Sequence, residues 1–422
     1  MVLRRFFLSS RNIERGSQLW NAGASLVSAG QSGILLILVA IFLGDLLAGV
    51  YAIALAQAYL FYAFGSYGMR RYLASDVKHR FTMGEYVSSR VVTASTMLIA
   101  GVGTAAALWW TGVYDATKAL ACALVTGSQV VDVVDELIGG ILQRANRLDI
   151  GAKIFFMRIL VSTLAAVIVL VTGGGLLWSL GALLGASLAC QIIFTWLVSP
   201  QLASGESTRR RPGVTYNLLK ACFPLFLTAL LAQYVGNSPK YGIELVLDDL
   251  AQARFNYLAM PTFVIQLFAL WIFTPLIYRM SLAWAEADLP RLRRLVWRVI
   301  GAISVITVVA VIGGALIGLP ILSFIYQTDL RGYLGEFIIL LVAGGLVAIV
   351  GFLSALIIVM RHSTTLLLSY LLAGLLAITA PIWVRQGGLM GACQLYGLLH
   401  GLQCLVLIGI IAWSFRRQAH GL

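Results

Sequence analysis

The sequence predicts an all-α polytopic membrane protein of about 12 transmembrane helices, in two parallel six-helix lobes with both termini in the cytoplasm. Three observations predict it. Hydrophobic residues make up 60% of the 422 positions, charged residues only 11%, and the mean hydropathy is +0.91. A soluble domain carries roughly a quarter charged residues. Apolar runs of about 20 residues, the length that spans a bilayer's hydrocarbon core, recur from Trp20 almost to the end. The basic residues between those runs alternate from side to side.

Met1–Phe7 carries Arg4 and Arg5, as the start of a signal peptide would. Leu8–Gln18 is polar, however, and the first apolar run has full spanning length with no small-residue cleavage site after a short core, so an uncleaved first helix is expected. The first six spans are Trp20–Leu43, Leu47–Gly68, Val91–Gly112, Ala119–Leu142, Ile154–Thr172 and Leu176–Val198. A polar break at Arg209–Pro212 follows. Then come Leu218–Val235, Leu258–Tyr278, Leu295–Leu319, Phe337–Ile358, Thr364–Val384 and Leu389–Trp413. Each is expected to be helical, because backbone groups in lipid must find partners within their own segment. The break divides the chain into an N-terminal lobe, 1–205, and a C-terminal lobe, 206–422. No segment is left for a soluble catalytic domain.

Orientation follows from the loops. Of the 30 basic residues, only Lys118, Lys240, Arg254, Arg331 and Arg385 fall on one side. The rest, including Arg70 and Arg71, Arg209–Arg211, Arg291–Arg298 and Arg416–Arg417, gather on the other, which is therefore cytoplasmic. The net charge of +13 is what this bias leaves when acids are few, and no nucleic-acid partner is expected. Cys122, Cys190, Cys222, Cys393 and Cys404 all lie in apolar runs without paired spacing. They read as small core residues, not as disulfides or a metal site.

An offset of 204 residues superposes Asp45-Leu46 on Asp249-Leu250 and Tyr51 on Phe255. With the six-and-six split this predicts two parallel repeats, an arrangement known among transporters; chance likeness at a hairpin turn is the bland alternative.

Charge inside a span is expensive and defaults to a functional hypothesis. In the fourth span Gln129, Asp132, Glu136, Gly140, Gln143 and Arg147 recur every three or four residues, with Asp135 beside them, so they share one helical stripe. Asp132 stands roughly 18 Å along the axis from Arg144 at about 1.5 Å per residue, near mid-bilayer. Such carboxylates line a wet cavity, pair with bases such as Arg158, Arg90 or Lys220 in a buried ion-pair network, or are protonated by desolvation. For Asp132 a cavity-lining or proton-linked role is expected. Asn21, Gln31, Gln394, Gln403 and His400 are softer intrusions, His400 reading as an interhelical hydrogen-bond partner. Lys240 and Glu244 read as a solvated pair in the longest outer loop, Gly236–Tyr257, and Gly173–Gly175 as a turn. No HExxH, GxSxG, P-loop or cysteine pair is present, so neither catalysis nor a cofactor nor a metal is expected.

Several stretches carry a family likeness: Arg71-Tyr72-Leu73-Ala74-Ser75-Asp76-Val77 continuing through Phe81 and Tyr86 to Arg90; Asp135-Glu136, Gly140, Gln143, Arg147-Leu148-Asp149, Lys153 and Arg158; and Tyr257-Leu258-Ala259-Met260-Pro261 with Pro275, Trp284 and Asp288. The chain resembles, over nearly its whole length, the polysaccharide flippases of the multidrug/oligosaccharidyl-lipid/polysaccharide exporter superfamily. The resemblance implies an inner-membrane protein that moves undecaprenyl-pyrophosphate-linked oligosaccharides between leaflets by alternating access, coupled to an ion gradient. It implies Arg90, Arg147, Lys153 and Arg158 as headgroup contacts at the cytoplasmic entrance, and leaves Asp132, Asp135 and Glu136 to shape or energise the cavity. Expected partners are the lipid-linked oligosaccharide, membrane lipids, a coupling cation (H+ or Na+) and glycan polymerase or export proteins. Asn237-Ser238-Pro239-Lys240 departs from the family's acid-then-base pattern in the seventh span. The rival readings are a cation-coupled multidrug exporter of the same superfamily, a membrane polysaccharide polymerase or acyltransferase, and a structural partner in a glycan-synthesis complex.

Overall fold

The computed structural model describes residue 7 and residues 13–76, 80–203, 214–360 and 363–419. The Arg209–Pro212 break, the lobe boundary at 205/206, and Arg4, Arg5, Arg11, Lys78 and Arg361 lie outside the described residues. All regular structure among the described residues is helical.

The first six passages are α1 (Ile13–Leu43), α2 (Asp45–Ser66) with a short α3 (Met69–Ser75), α4 (Met83–Trp110), α5 (Ala116–Arg144), α6 (Leu148–Val171) and α7 (Gly175–Ala203). The seventh and eighth are α8 (Val214–Val246) and α9 (Asp249–Phe273), the latter running through a 3₁₀ turn into α10 (Ile277–Ala285). The ninth is α11 (Leu289–Gly313), a π-helical turn (Gly314–Gly318) and α12 (Leu319–Tyr326). The last three are α13 (Leu334–Val359), α14 (Ser363–Ala377) and α15 (Ala380–Ala419). Among the described residues, ten passages are long and apolar enough to cross a membrane. The other two of the expected twelve are α5, which carries the charged stripe, and α14, which has 15 residues. This is a multi-pass membrane protein.

Two expected boundaries are corrected. The outer loop Gly236–Tyr257 is almost entirely helix, because α8 runs to Val246 and α9 begins at Asp249. Hydropathy marks where lipid contact ends, not where a helix ends; Lys240 and Glu244 are good helix formers. Asp248 then caps α9, accepting from the Ala251 N–H at 2.8 Å. The eleventh span stops at Ala377, short of Val384, and Gly388 (φ 56°, ψ −137°) interrupts α15, a conformation open to glycine without a Cβ penalty. The twelfth span thus begins at Leu389, as expected.

The chain divides into two compact units, Met1–Leu230 and Leu231–Leu422, the division falling within α8. In the first, α5 is the hub, packed against α2, α3, α4, α6 and α7. In the second, the hub is α13, packed against α9, α10, α11, α14 and α15. Asp45 and Asp249, paired by the sequence repeat, each open a helix, and Tyr51 and Phe255 lie buried on those helices. The triplet Gly173–Gly175 forms the α6–α7 turn, with positive φ at Gly173 and Gly175.

Close helix approach around the first hub depends on small residues. A Cβ at Gly65 of α2 would lie 2.5 Å from Met97 Sδ and 2.8 Å from Val133 Cγ2. The entry to α4 is set by a capping box: Thr82 Oγ1 accepts from the Glu85 N–H, and Glu85 Oε2 accepts from the Thr82 N–H at 2.8 Å. That box fixes where Arg90, two turns on, enters the bundle. Gly65→Val is expected to destabilise the protein by about 1–3 kcal/mol through overpacking. Gly103→Ala, where the added Cβ meets nothing within 4 Å, is expected to leave the melting temperature in detergent unchanged or raised. Equal melting of both variants would disprove this packing account.

Candidate functional site

Asp132 and Asp135 sit one helical turn apart on α5, so their charges repel unless a cation stands between them. Arg158, one helix on in α6, supplies it. Its Nε donates to Asp135 Oδ2 at 3.0 Å, its Nη2 to Asp132 Oδ1 at 2.5 Å and its Nη1 to Ser187 Oγ of α7 at 2.7 Å. The guanidinium is 1% exposed, Asp135 3% and Asp132 19%. One planar fork satisfies two carboxylates and a hydroxyl, a geometry that lysine does not offer. Asp132 therefore has a partner, which the sequence left unassigned.

Glu136 belongs to a second, looser pair. Arg90 Nη2 stands 3.5 Å from Glu136 Oε2, and its Nη1 donates to the Gly65 carbonyl. The hydroxyl of Thr93 donates to the same carbonyl at 2.9 Å. Gly65 lies in the last turn of α2, where carbonyls lack helical partners and the dipole is negative, so a buried arginine is well placed there. The buried Nε of Arg90 has no hydrogen-bond partner among the described residues.

A third group forms where α6 begins. Arg147, at the N-cap position, makes a two-pronged contact with Asp149, Nε–Oδ1 3.1 Å and Nη2–Oδ2 3.3 Å. Asp149 is fully buried while Arg147 is 26% exposed. Lys153 is buried on the same helix. The four bases expected at one entrance thus fall into separate groups: Arg158 and Arg90 are held by the very carboxylates assigned to the cavity, and Arg147 by Asp149. Lys220 is exposed on α8.

Asp132 and Arg158 line a small polar cavity inside the first unit, together with Gln31, Tyr51, Tyr59, Gln129 and Ser187. Its free volume is about 20 Å³, room for about one water molecule. The acidic stripe is therefore both ion-paired and, at Asp132, open to a pocket too small for a sugar. Gln31 was picked out in the sequence and is tied to Thr163 Oγ1 at 2.8 Å. Tyr59, Ser162 and Ser187 were not, because single polar residues in apolar runs carry no periodic signal. Of the softer intrusions, His400 corrects its expectation: its Nδ1 lies 2.8 Å from the Tyr396 carbonyl on its own helix.

The model of one protein family, described as polysaccharide biosynthesis protein, matches residues 17–281, which include all of this site. The chain belongs to this family. No relative is found among curated protein sequences. Solved structures share the fold of this chain at low identity. One is the lipid II flippase MurJ in an inward closed conformation, with a TM-score of 0.74 at 14% identity, covering 95% of this chain and 90% of that one. Another is a multidrug resistance MATE family transporter of the MOP superfamily, inward-facing, with a TM-score of 0.67 at 15% identity and coverage of 94% and 95%. A third is the Vibrio cholerae MATE transporter VcmN in its bent form, with 0.56 at 12% identity and coverage of 96% and 99%.

Removing one partner of a buried ion pair costs about 3–5 kcal/mol, since the other charge is left stranded. Arg158→Leu is expected to lose stability on that scale in detergent thermal unfolding, with Arg158→Lys recovering only part of it. A native melting temperature for Arg158→Leu would show that the two aspartates do not depend on this guanidinium.

Proposed function

We propose that this protein is a flippase that carries an undecaprenyl-pyrophosphate-linked oligosaccharide from the inner to the outer leaflet of the cell's inner membrane, by alternating access. The observation that carries the reading is membership of a polysaccharide biosynthesis family by a chain whose described residues are membrane helices and the short links between them. Such a chain contributes to glycan assembly by moving a membrane-bound intermediate. The fold shared with a lipid II flippase supports it.

The sorting of charges suggests a division of labour. Arg147, the partly exposed base, is assigned to the pyrophosphate, with Lys153 adding positive potential behind it; arginine's fork suits phosphate oxygens. Arg158, Asp132 and Asp135 are assigned to the cavity, where a proton or Na+ arriving at Asp132 would compete with Arg158 for the carboxylate. Arg90 and Glu136 form the neighbouring pair. Glycan polymerase and export proteins are the proposed partners.

The second reading, a cation-coupled multidrug exporter, is favoured by the fold shared with MATE transporters. Proteoliposomes separate the two. Purified protein is expected to translocate a fluorescent polyprenyl-pyrophosphate oligosaccharide, and deletion to remove surface polysaccharide without sensitising cells to drugs. Arg147→Ala is expected to weaken substrate binding about tenfold or more, the scale of one charge-assisted hydrogen bond. Asp132→Asn is expected to leave binding intact and slow transport. Drug sensitivity with intact surface polysaccharide would replace this reading by the exporter.

A further inference from the structure

A second concentration of charge lies far along the chain from the site above. The first turns of α11 and the end of α15 form a groove of about 840 Å³ whose walls include Arg293, Arg294, Trp297, Arg298, Phe415 and Arg416. No acidic residue lines it. All four arginines are exposed, and among the described residues none is ion-paired.

The nearby acids are turned elsewhere. Glu286 stands 3.6 Å from Arg291 Nη1, and Asp288 caps α11 by accepting from the Arg291 N–H at 3.0 Å. Arg294 and Arg298 are four residues apart, so they face one another on the helix and repel. The helix keeps like charges together along the groove, an arrangement that an anion would relieve. The aromatic groups narrow the choice of anion. Trp297 is 62% exposed, and Phe415 stacks on Trp284 with ring centroids 6.3 Å apart. Arg417 lies over the Trp413 ring at 5.4 Å. Arginine beside tryptophan at the end of a membrane helix marks the level of lipid headgroups, and the groove lies at helix ends that the loop charges assign to the cytoplasmic side, whose leaflet is rich in anionic lipids.

We propose that this groove is a headgroup site for an anionic phospholipid: the guanidinium groups of Arg293, Arg294, Arg298 and Arg416 bind its phosphodiester, and Trp297 packs on its glycerol and upper acyl region. The site lies within the second unit and does not depend on the identity of the transported substrate.

The test uses the purified full chain and native mass spectrometry, with phosphatidylglycerol and phosphatidylcholine offered at equal concentration. Phosphatidylglycerol is expected to be retained preferentially, with affinity falling as salt rises. Combined Arg293→Gln, Arg294→Gln, Arg298→Gln and Arg416→Gln is expected to lower that affinity about fivefold per arginine removed. Arg291→Gln, which lies outside the groove, is expected to leave it unchanged. Should the fourfold variant not fold, Arg294→Glu alone is expected to lower that affinity about fivefold or more. Equal retention of the two lipids overturns the proposal, as does an unchanged preference in the variants. Displacement of phosphatidylglycerol by millimolar inorganic phosphate also overturns it, because the groove would then be a free-anion site.

Discussion

The shared ion pair of Arg158 with Asp132 and Asp135 is the interaction on which the first unit depends. Two carboxylates one turn apart near the middle of a membrane helix repel, and a cavity with room for about one water does little to screen them. A single guanidinium, donating separately to each, lets both persist. That requirement dictates the neighbours. The helix α6 must present Arg158 to α5, α7 must bring Ser187 to the remaining nitrogen, and lipid must be kept from the stripe. The packing meets the last demand by placing α5 at the centre, walled by five other helices.

Comparison of the two hubs shows how much of this is specific to the first unit. The hub of the second, α13, is the fourth passage of its half as α5 is of the first. Beyond Glu336 in its first turn it has no charged residue at all. An apolar helix at the same architectural position needs no counter-ion and packs through glycine: Gly344 against Thr262, and Gly345 against Thr307. The repeated plan therefore does not require the acidic cluster. Its presence in one half only is a stronger argument for function than the cost of burying it, since buried ion pairs seldom outperform well-packed apolar residues in stability.

The charged residues fall into two environments. Arg90, Asp132, Asp135, Glu136 and Arg158 are ion-paired within the first unit, so removing one strands another. Arg293, Arg294, Arg298 and Arg416, at the start of α11 and the end of α15, are exposed and, among the described residues, without carboxylate partners, and water or lipid headgroups must satisfy them. A net charge of +13 gives no hint of this division, because it sums both.

The sequence by itself determined the class, the number of passages and the stripe from Gln129 to Gln143; Arg147, read as its last member, lies past the end of α5 at the N-cap of α6. Apolar run length and loop charge are local properties that lipid and the membrane potential read directly, so twelve helices could be counted without any contact being known. The periodicity that aligned Asp132 with Glu136 is likewise internal to one helix. Helix ends were less legible: α8 and α9 extend past the apolar runs because capping and helix propensity act beyond the lipid boundary. Only the tertiary structure decided which base meets which acid. Arg90 and Arg158 both follow or precede the stripe at ordinary distances in sequence, and nothing in their spacing separates a phosphate contact from a counter-ion. Pairing is a matter of which helix faces which, set by close approach at residues such as Gly65, and a one-dimensional pattern does not contain it.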